Sequence, residues 1–397
     1  MHMVKVIVHI DLNAFFVRAE EIKNPEIEGK AVAIGHNGRA GIVSTCSYKA
    51  REYGVRSGMP MNQAVKLCPN LMIIPGDYRF YAALSYEFKS FVRKYTKIVE
   101  GASIDEVYAD FTNAVKGVKD VEQYFRDFQN LLFETTGLKC SIGVAPTKFL
   151  AKMGSDYKKP MGITIIRRRD IAKVLYPLGI DDMFGVGKKT APRLKSIGVK
   201  TIGDLKERLD NNDIDTLNII GKFAFELKAC LEGRSDDMVI TEYDDPKSIG
   251  NSTTLKEDTS NFEIIKNTFE WLTQEVSYRA KKENLMGTTI QIMAKDTSYK
   301  AHNKSITFDT PTNDQIEILN RALKLYEKNY LNMTVRAVGV TLQNLISIKD
   351  LAIQMTFFDY EKHEDENRTK LIINEINRKI SGTGKLIRAS ELEKDKK

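Results

Sequence analysis

In the stretch Gly101–Phe111, read Gly-Ala-Ser-Ile-Asp-Glu-Val-Tyr-Ala-Asp-Phe, Asp105 and Glu106 stand side by side after a possible strand turn. Two adjacent carboxylates concentrate negative charge at one point. A third acid, Asp11, ends the short apolar run Val4–Ile10, which has strand character. If these two strands pair, three carboxylates converge. A donor set read as oxygen only, with no His or Cys taking part, suits a hard cation such as Mg²⁺, which accepts further oxygens from substrate phosphates. That is the chemistry of two-metal phosphoryl transfer. Taken singly, Asp105-Glu106 reads equally as a solvated turn and Asp11 as a helix cap, so the case rests on the elements that must position them.

After Asp11 the residues Leu12–Glu21 have helical propensity, with Asn13 as the expected N-cap. Phe15 and Phe16 are adjacent and so cannot share one helical face, which lets one of them look toward whatever the acids bind. Residues 31–34 and 41–45 read as short strands around the turn Gly35–Gly38, followed by a helix that Gly54 ends. On that helix Tyr48 and Arg51 lie three apart and project together, a phenol beside a planar guanidinium able to grip a triphosphate. Aromatic, amphipathic helices follow at 77–97 and 121–135, then a strand at 139–145 and a helix at 147–157 that leads into Lys158-Lys159-Pro160. The alternation through residue 166 predicts a mixed sheet with helices packed on it.

From Arg167 the chain reads as helices joined by glycine turns. Residues 185–200 hold Lys188, Lys189, Arg193, Lys195 and Lys200 and no acid. The turn Gly185-Val186-Gly187 opens a helix, and its backbone N–H groups suit a DNA phosphate held without base reading. It resembles a helix-hairpin-helix, with Ile219–Lys222 as a weaker second copy. It is not a Walker A loop, because Asp182 stands where glycine is needed, nor a dinucleotide loop, because Thr190 replaces the last glycine. Residues 234–246 are acidic and end at Pro246, the expected linker. Residues 247–343 follow a β-α-β-β-α-β order, the ferredoxin-like plan. Beyond them, Gln354, Phe357 and Phe358 form an apolar peptide in a polar tail, costly to leave without a partner pocket.

The chain has 397 residues, too many for one core. Its 60 Lys plus Arg exceed 53 Asp plus Glu by only 7, so charge favours a polyanionic partner weakly. Cys46, Cys68, Cys140 and Cys230 are far apart and form no C-x-x-C, which points away from a structural zinc or a disulfide framework and toward a reduced cytoplasm. The N-terminal apolar run is too short for a signal segment or a membrane span.

Together these stretches resemble a Y-family DNA polymerase, most similar to its DinB branch. The resemblance rests on Asp-Leu-Asn-Ala-Phe-Phe at 11–16, Ser-Tyr-x-Ala-Arg at 47–51, Ser-Ile-Asp-Glu at 103–106, Lys-Pro at 159–160, the hairpin near 185 and Lys-Ser-Ile-Gly-Asn-Ser at 247–252. It implies an α+β multidomain right hand. Residues 1–166 would be a ferredoxin-like palm with small fingers at about 17–76. Residues 167–233 would be the helical thumb, 234–246 a linker, 247–343 the little finger and 344–397 a tail. It further implies that Asp11, Asp105, Glu106 and the Leu12 carbonyl hold two Mg²⁺, and that Thr45, Tyr48, Arg51 and Lys159 bind the incoming dNTP. Phe16 would be a steric gate against a ribose 2′-OH, Gly185, Gly187, Lys188 and Lys189 would bind DNA phosphates, and Gln354, Phe357 and Phe358 would bind a sliding clamp. Small residues such as Ala14, Ser44 and Gly58 would leave room for damaged bases. The expected enzyme is a monomeric cytoplasmic translesion polymerase without proofreading, acting on primer-template DNA. The rival readings are a nucleotide cyclase on a related palm, disfavoured by the duplex-gripping hairpin, and an idle DNA- and clamp-binding scaffold, disfavoured by the intact acids.

Overall fold

The computed structural model describes residues 5–235, 238–242 and 244–350. The peptide of Gln354, Phe357 and Phe358 lies outside the described residues. The chain divides into two compact units, residues 1–244 and 245–397.

In the first unit the strands are β1 (Ile7–Leu12), β2 (Val32–Ile34), β3 (Thr45–Cys46), β4 (Met72–Ile74), β5 (Val99–Gly101), β6 (Glu106–Asp110), β7 (Cys140–Ala145) and β8 (Ile163–Ile165). Its helices include α1 (Phe15–Lys23), α2 (Tyr48–Glu52), α3 (Met61–Leu67), α4 (Tyr78–Val92), α5 (Val121–Thr136) and α6 (Lys148–Tyr157). The main sheet runs β5-β6-β1-β7-β8, with β1 antiparallel to both β6 and β7. Both faces are covered, so β1 and β7 are buried at every residue, including the polar His9 and Asp11 of β1 and Ser141 of β7. On one face, the stripe Tyr81, Leu84, Phe88 and Phe91 of α4 and Phe125, Phe128 and Leu132 of α5 pack into the sheet. Asp77 and Asp120 cap these two helices through hydrogen bonds to Phe80 N and Gln123 N.

The other face carries α6, seated at Gly143. A Cβ there would collide with the Ala151 carbonyl and the Ser155 amide, so only glycine lets the helix come this close. The smaller sheet β3-β2-β4 with α2 and α3 encloses a separate little core around Ala33, Cys46, Ala50 and Met61. Strand character at 41–45 is confined to Thr45, with Ile42 making an isolated bridge to Pro60, because the glycine-rich turn holds the preceding residues off the sheet. Asn13 does not cap α1. Ala14, in the left-handed region at φ 45°, occupies that position, while the Asn13 side chain joins Ser141 Oγ (2.9 Å) and the Met161 N–H (2.8 Å).

Past residue 166 the helices α7 (Ile171–Val174), α8 (Thr190–Ser196), α9 (Ile202–Asp210), α10 (Ile214–Ile220) and α11 (Ala224–Leu231) share one apolar cluster with Phe149, Leu150 and Met153 of α6. The helical part is thus cemented to the back of the sheet through α6. The second unit has strands β9 (Ser248–Thr259), β10 (Leu285–Asp296), β11 (Ala301–Thr312) and β12 (Val335–Ser347), in the order β11-β10-β12-β9. Its helices α12 (Phe262–Lys282) and α13 (Gln315–Tyr330) cover one face around Phe269 and Tyr326.

Gly143→Val should lower stability by about 2 kcal/mol or more, because overpacking at backbone contact cannot relax by side-chain rotation. Urea denaturation checks this, and an unchanged midpoint would mean that α6 does not bear on β7 there.

Candidate active site

Antiparallel pairing of β1 with β6 places Asp11 directly opposite Glu106. The Leu12 N–H donates to the Asp105 carbonyl at 3.0 Å, which ties the next residue of each strand together. The loop before β6 is fixed from α4, where Ser85 Oγ donates to the Ile104 carbonyl and Lys89 Nζ donates to Ser103 O at 2.7 Å. A cavity of about 240 Å³ opens at this point, lined by Asp11, Leu12, Phe16, Thr45, Tyr48, Arg51, Asp105 and Lys159, and also by Ala14 and Ser44. Of two larger cavities in this unit, the one of about 520 Å³ holds Glu21 and Glu28, but the Arg18 guanidinium takes both (3.0 and 3.1 Å), and the one of about 560 Å³ is lined by no carboxylate.

Each wall of the cavity follows from a local rule. Ser47 caps α2 by accepting from Ala50 N, and the turn that follows sets Arg51 over the Tyr48 ring at 4.6 Å. On α1 the adjacent phenylalanines part company. Phe15 enters the core, and Phe16 stays half-buried, stacked on Tyr81 with ring centroids 4.5 Å apart. Tyr81 is itself held by a 2.6 Å hydrogen bond to Glu20.

Among the described residues no three His, Cys, Asp or Glu side chains are gathered as a ready metal cage. Asp11 and Glu106 meet, while Asp105, which lines the same cavity, accepts from Ser103 Oγ at 2.6 Å. Lys152 occupies the space between the first two, and Lys159 meets Asp11 from the other side. Lys152 Nζ donates to Asp11 Oδ2 (3.1 Å) and Glu106 Oε1 (2.5 Å), and Lys159 Nζ lies 2.7 Å from Asp11 Oδ1. These ammonium groups stand where cations belong, and the carboxylate oxygens that hold them are hard donors; the residues therefore fit a divalent metal.

Lys152, Asp156, His9 and Ser155 were not foreseen from sequence. Lys152, Asp156 and Lys159 recur at intervals of four and three, one face of a helix that leads back to the site, and that spacing was the available signal. The site is also not free of histidine. His9, fully buried, meets Ser155 Oγ through Nδ1 at 2.7 Å, and its Nε2 lies 3.9 Å from Glu106 Oε2 with no hydrogen-bond partner. Ser155 Oγ donates to the Lys152 carbonyl, so Nδ1 carries the ring proton and Nε2 is bare. Burial, reinforced by Lys152, pushes the His9 pKa down to about 3.

Burial drives the Glu106 carboxyl up to about 7, with the neighbouring Asp11 adding to the rise and Lys152 opposing it. Burial would raise Asp11 as well, but its hydrogen bond with Glu106 and the two lysines bring it down to about 2. The pair therefore shares its charge unequally. Burial acts against the Lys152 ammonium, yet Asp11 and Glu106 hold its pKa above the ordinary lysine value.

The hairpin of the helical part has Gly185 at φ 90°, Val186 buried, and Lys188 and Lys189 exposed beside it. In the second copy, Gly221 likewise takes φ 69° between α10 and α11.

In metal-free protein, Glu106 holds its proton more tightly than the unfolded chain does at its ordinary value of 4.5. Its contribution to stability is full below about pH 4.5 and disappears as pH climbs through about 7; that of Asp11 is present above 3.8 and lost as pH falls toward 2. Denaturation in EDTA should therefore show stability declining between pH 5 and 8, and Glu106→Gln should flatten the decline. A slope that persists in that variant belongs to another group.

Comparison with known proteins converges on one family. The impB/mucB/samB family model matches residues 10–156, its C-terminal domain model 246–357, and its helix-hairpin-helix model 168–199. DNA polymerase IV of Bacillus velezensis is 36% identical, with 94% of this chain and 90% of that protein covered. DNA polymerase IV 1 of Bacillus subtilis is 34% identical over 98% of this chain and 94% of its own length. Among solved structures, a Y-family polymerase chimera of Dbh and Dpo4 superimposes with a TM-score of 0.75 at 28% identity, covering 86% of this chain and 99% of the chimera. An insertion ternary complex of Dbh DNA polymerase gives 0.58 at 28% identity, covering 86% and 99%. The chain belongs to the impB/mucB/samB family, the Y-family translesion DNA polymerases, in the DNA polymerase IV branch.

Proposed function

We propose that this chain extends a primer on template DNA by two-metal phosphoryl transfer at the cavity between β1, β6 and α2, without proofreading. The observation that carries the reading is the shared cavity itself: carboxylates, a phenol–guanidinium pair, a lysine and an aromatic ring all face about 240 Å³ of space. Asp11, Asp105, Glu106 and the Leu12 carbonyl would hold two Mg²⁺. When bound, such ions lower the pKa of a primer 3′-OH and stabilise charge on the reacting phosphates. The chain's own residues orient the substrate. Thr45, Tyr48, Arg51 and Lys159 bind the triphosphate of the incoming dNTP, with Arg51 pre-set by its contact with Tyr48. Phe16, held by stacking on Tyr81, blocks a ribose 2′-OH. Ala14 and Ser44, both lining the cavity, and the exposed Gly58 nearby leave little bulk against the nascent pair, which suits damaged templates.

Residues 1–166 then serve as palm and fingers, 167–233 as thumb, 234–246 as linker and 247–343 as little finger. Gly185, Gly187, Lys188 and Lys189 hold a DNA phosphate; in support, the lysines are exposed and the helix-hairpin-helix model covers them. The tail peptide with Gln354, Phe357 and Phe358 would dock on a sliding clamp. No helix among the described residues is long and apolar enough to cross a membrane, in keeping with a monomer working on DNA in the cytoplasm.

Asp105→Ala or Glu106→Ala should cut primer extension at least about a thousandfold, roughly 4 kcal/mol of transition-state stabilisation, while DNA binding survives. Extension at the original rate refutes the metal assignment. Phe16→Ala should admit ribonucleotides; unchanged sugar discrimination in single-nucleotide insertion kinetics removes Phe16 from the gate.

A further inference from the structure

Lys152 is the most buried cation of the site, 9% exposed, and it sits where no substrate group is expected, behind the carboxylates on α6. Its ammonium bridges Asp11 Oδ2 and Glu106 Oε1, two of the carboxylates that would hold the metal ions. It has a third partner. Asp156 Oδ2 lies 3.4 Å away, one helical turn along α6, on a side chain that is 41% exposed. Asp156 also receives Lys159 on its other oxygen at 2.7 Å, so it stands between the two lysines as Asp11 does on the opposite side.

We infer that Lys152 is a displaceable counter-cation of the metal site: it holds Asp11 and Glu106 together in the metal-free enzyme and moves onto Asp156 when a divalent ion takes their oxygens. The argument is one of charge and space. A divalent ion at about 2.1 Å from a carboxylate oxygen and an ammonium at hydrogen-bond distance from the same oxygen repel each other strongly in a poorly solvated site. Two carboxylates buried side by side without any cation would also repel and pay desolvation unopposed. Lys152 resolves both demands, because a four-carbon stem needs only a small rotation to exchange Glu106 for Asp156. The consequence is that metal alone binds weakly, since each ion must first displace an ammonium. Nucleotide brings its own negative charge and tips the exchange, so metal occupancy becomes tied to substrate.

This inference rests on the metal-binding reading given above, and its test separates the two. Free Mn²⁺ is followed by electron paramagnetic resonance with the full chain, in the absence of DNA and nucleotide. Lys152→Met should bind Mn²⁺ about tenfold more tightly than the wild type, and should melt at a lower temperature without metal but show a larger rise on adding it. Unchanged or weaker Mn²⁺ binding makes Lys152 a fixed pillar and overturns the inference. Should Lys152→Met fail to fold, Asp156→Asn, at an exposed position, decides alone in the wild type: it should weaken Mn²⁺ binding about threefold or more, and unchanged or tighter binding overturns the exchange. Where Lys152→Met folds, Asp156→Asn should have no effect in that background. An equal loss in both backgrounds means that Asp156 acts on the metal without Lys152, which also overturns the exchange. Wild-type Mn²⁺ binding that survives the joint change Asp11→Asn and Glu106→Gln refutes the metal reading itself, and this inference with it.

Discussion

The constraint that governs the molecule is the concentration of negative charge at the end of β1 and β6. Asp11 and Glu106 face each other across an antiparallel ladder, and neither can be moved without shifting the register of the central sheet. Like charges so placed must be neutralised, and the structure does so with two ammonium groups and an unequal sharing of protons. The cation-binding tendency of the site is thus visible in its lysines before any metal is considered. Removing one partner from such a cluster is costly, because it leaves an uncompensated buried charge.

Much of the surrounding architecture serves to bring α6 and β6 to this point at fixed distance. Gly143 lets α6 lie on the backbone of β7, which sets where Lys152 emerges. Behind it, His9 and Ser155 tie β1 to the same helix through a buried hydrogen bond. On the opposite face α4 grips the loop that carries Asp105. The helical residues beyond 166 continue the apolar cluster of α6, so they and the site share a common rigid support.

The nucleotide side of the cavity is built differently. The small core around Ala33, Cys46 and Met61 supports α2, and Phe16 packs on the edge of the main core through an aromatic stack with Tyr81 and Tyr78. Fewer buried apolar groups stand behind these elements than behind the carboxylates. A site with a rigid catalytic half and a lightly supported, open substrate half is physically suited to a polymerase that accepts distorted templates.

Strong periodicity made much of the fold legible in the sequence: the aromatic stripes of α4 and α5, the buried runs of β1 and β7, the glycine hairpin near 185 and the β-α-β-β-α-β order of the second unit. Residue type and spacing likewise marked Asp11, Asp105, Glu106, Tyr48 and Arg51 as candidates, because chemistry-bearing side chains at strand ends and on one helical face leave a local trace, whereas Lys159 entered only through the family resemblance. Lys152 and His9 left almost none, since their importance lies in partners more than 40 residues away across the sheet, and Asp156 left only its spacing of four and three from the two lysines. Asn13, read as a cap, was recruited by Ser141 and Met161 once the strands met. Local pattern determined which residues could do chemistry. Only the tertiary structure decided which carboxylates are clamped, which one is bonded by its own loop, and which cation stands between them, because those outcomes depend on distances that the linear order of residues does not contain.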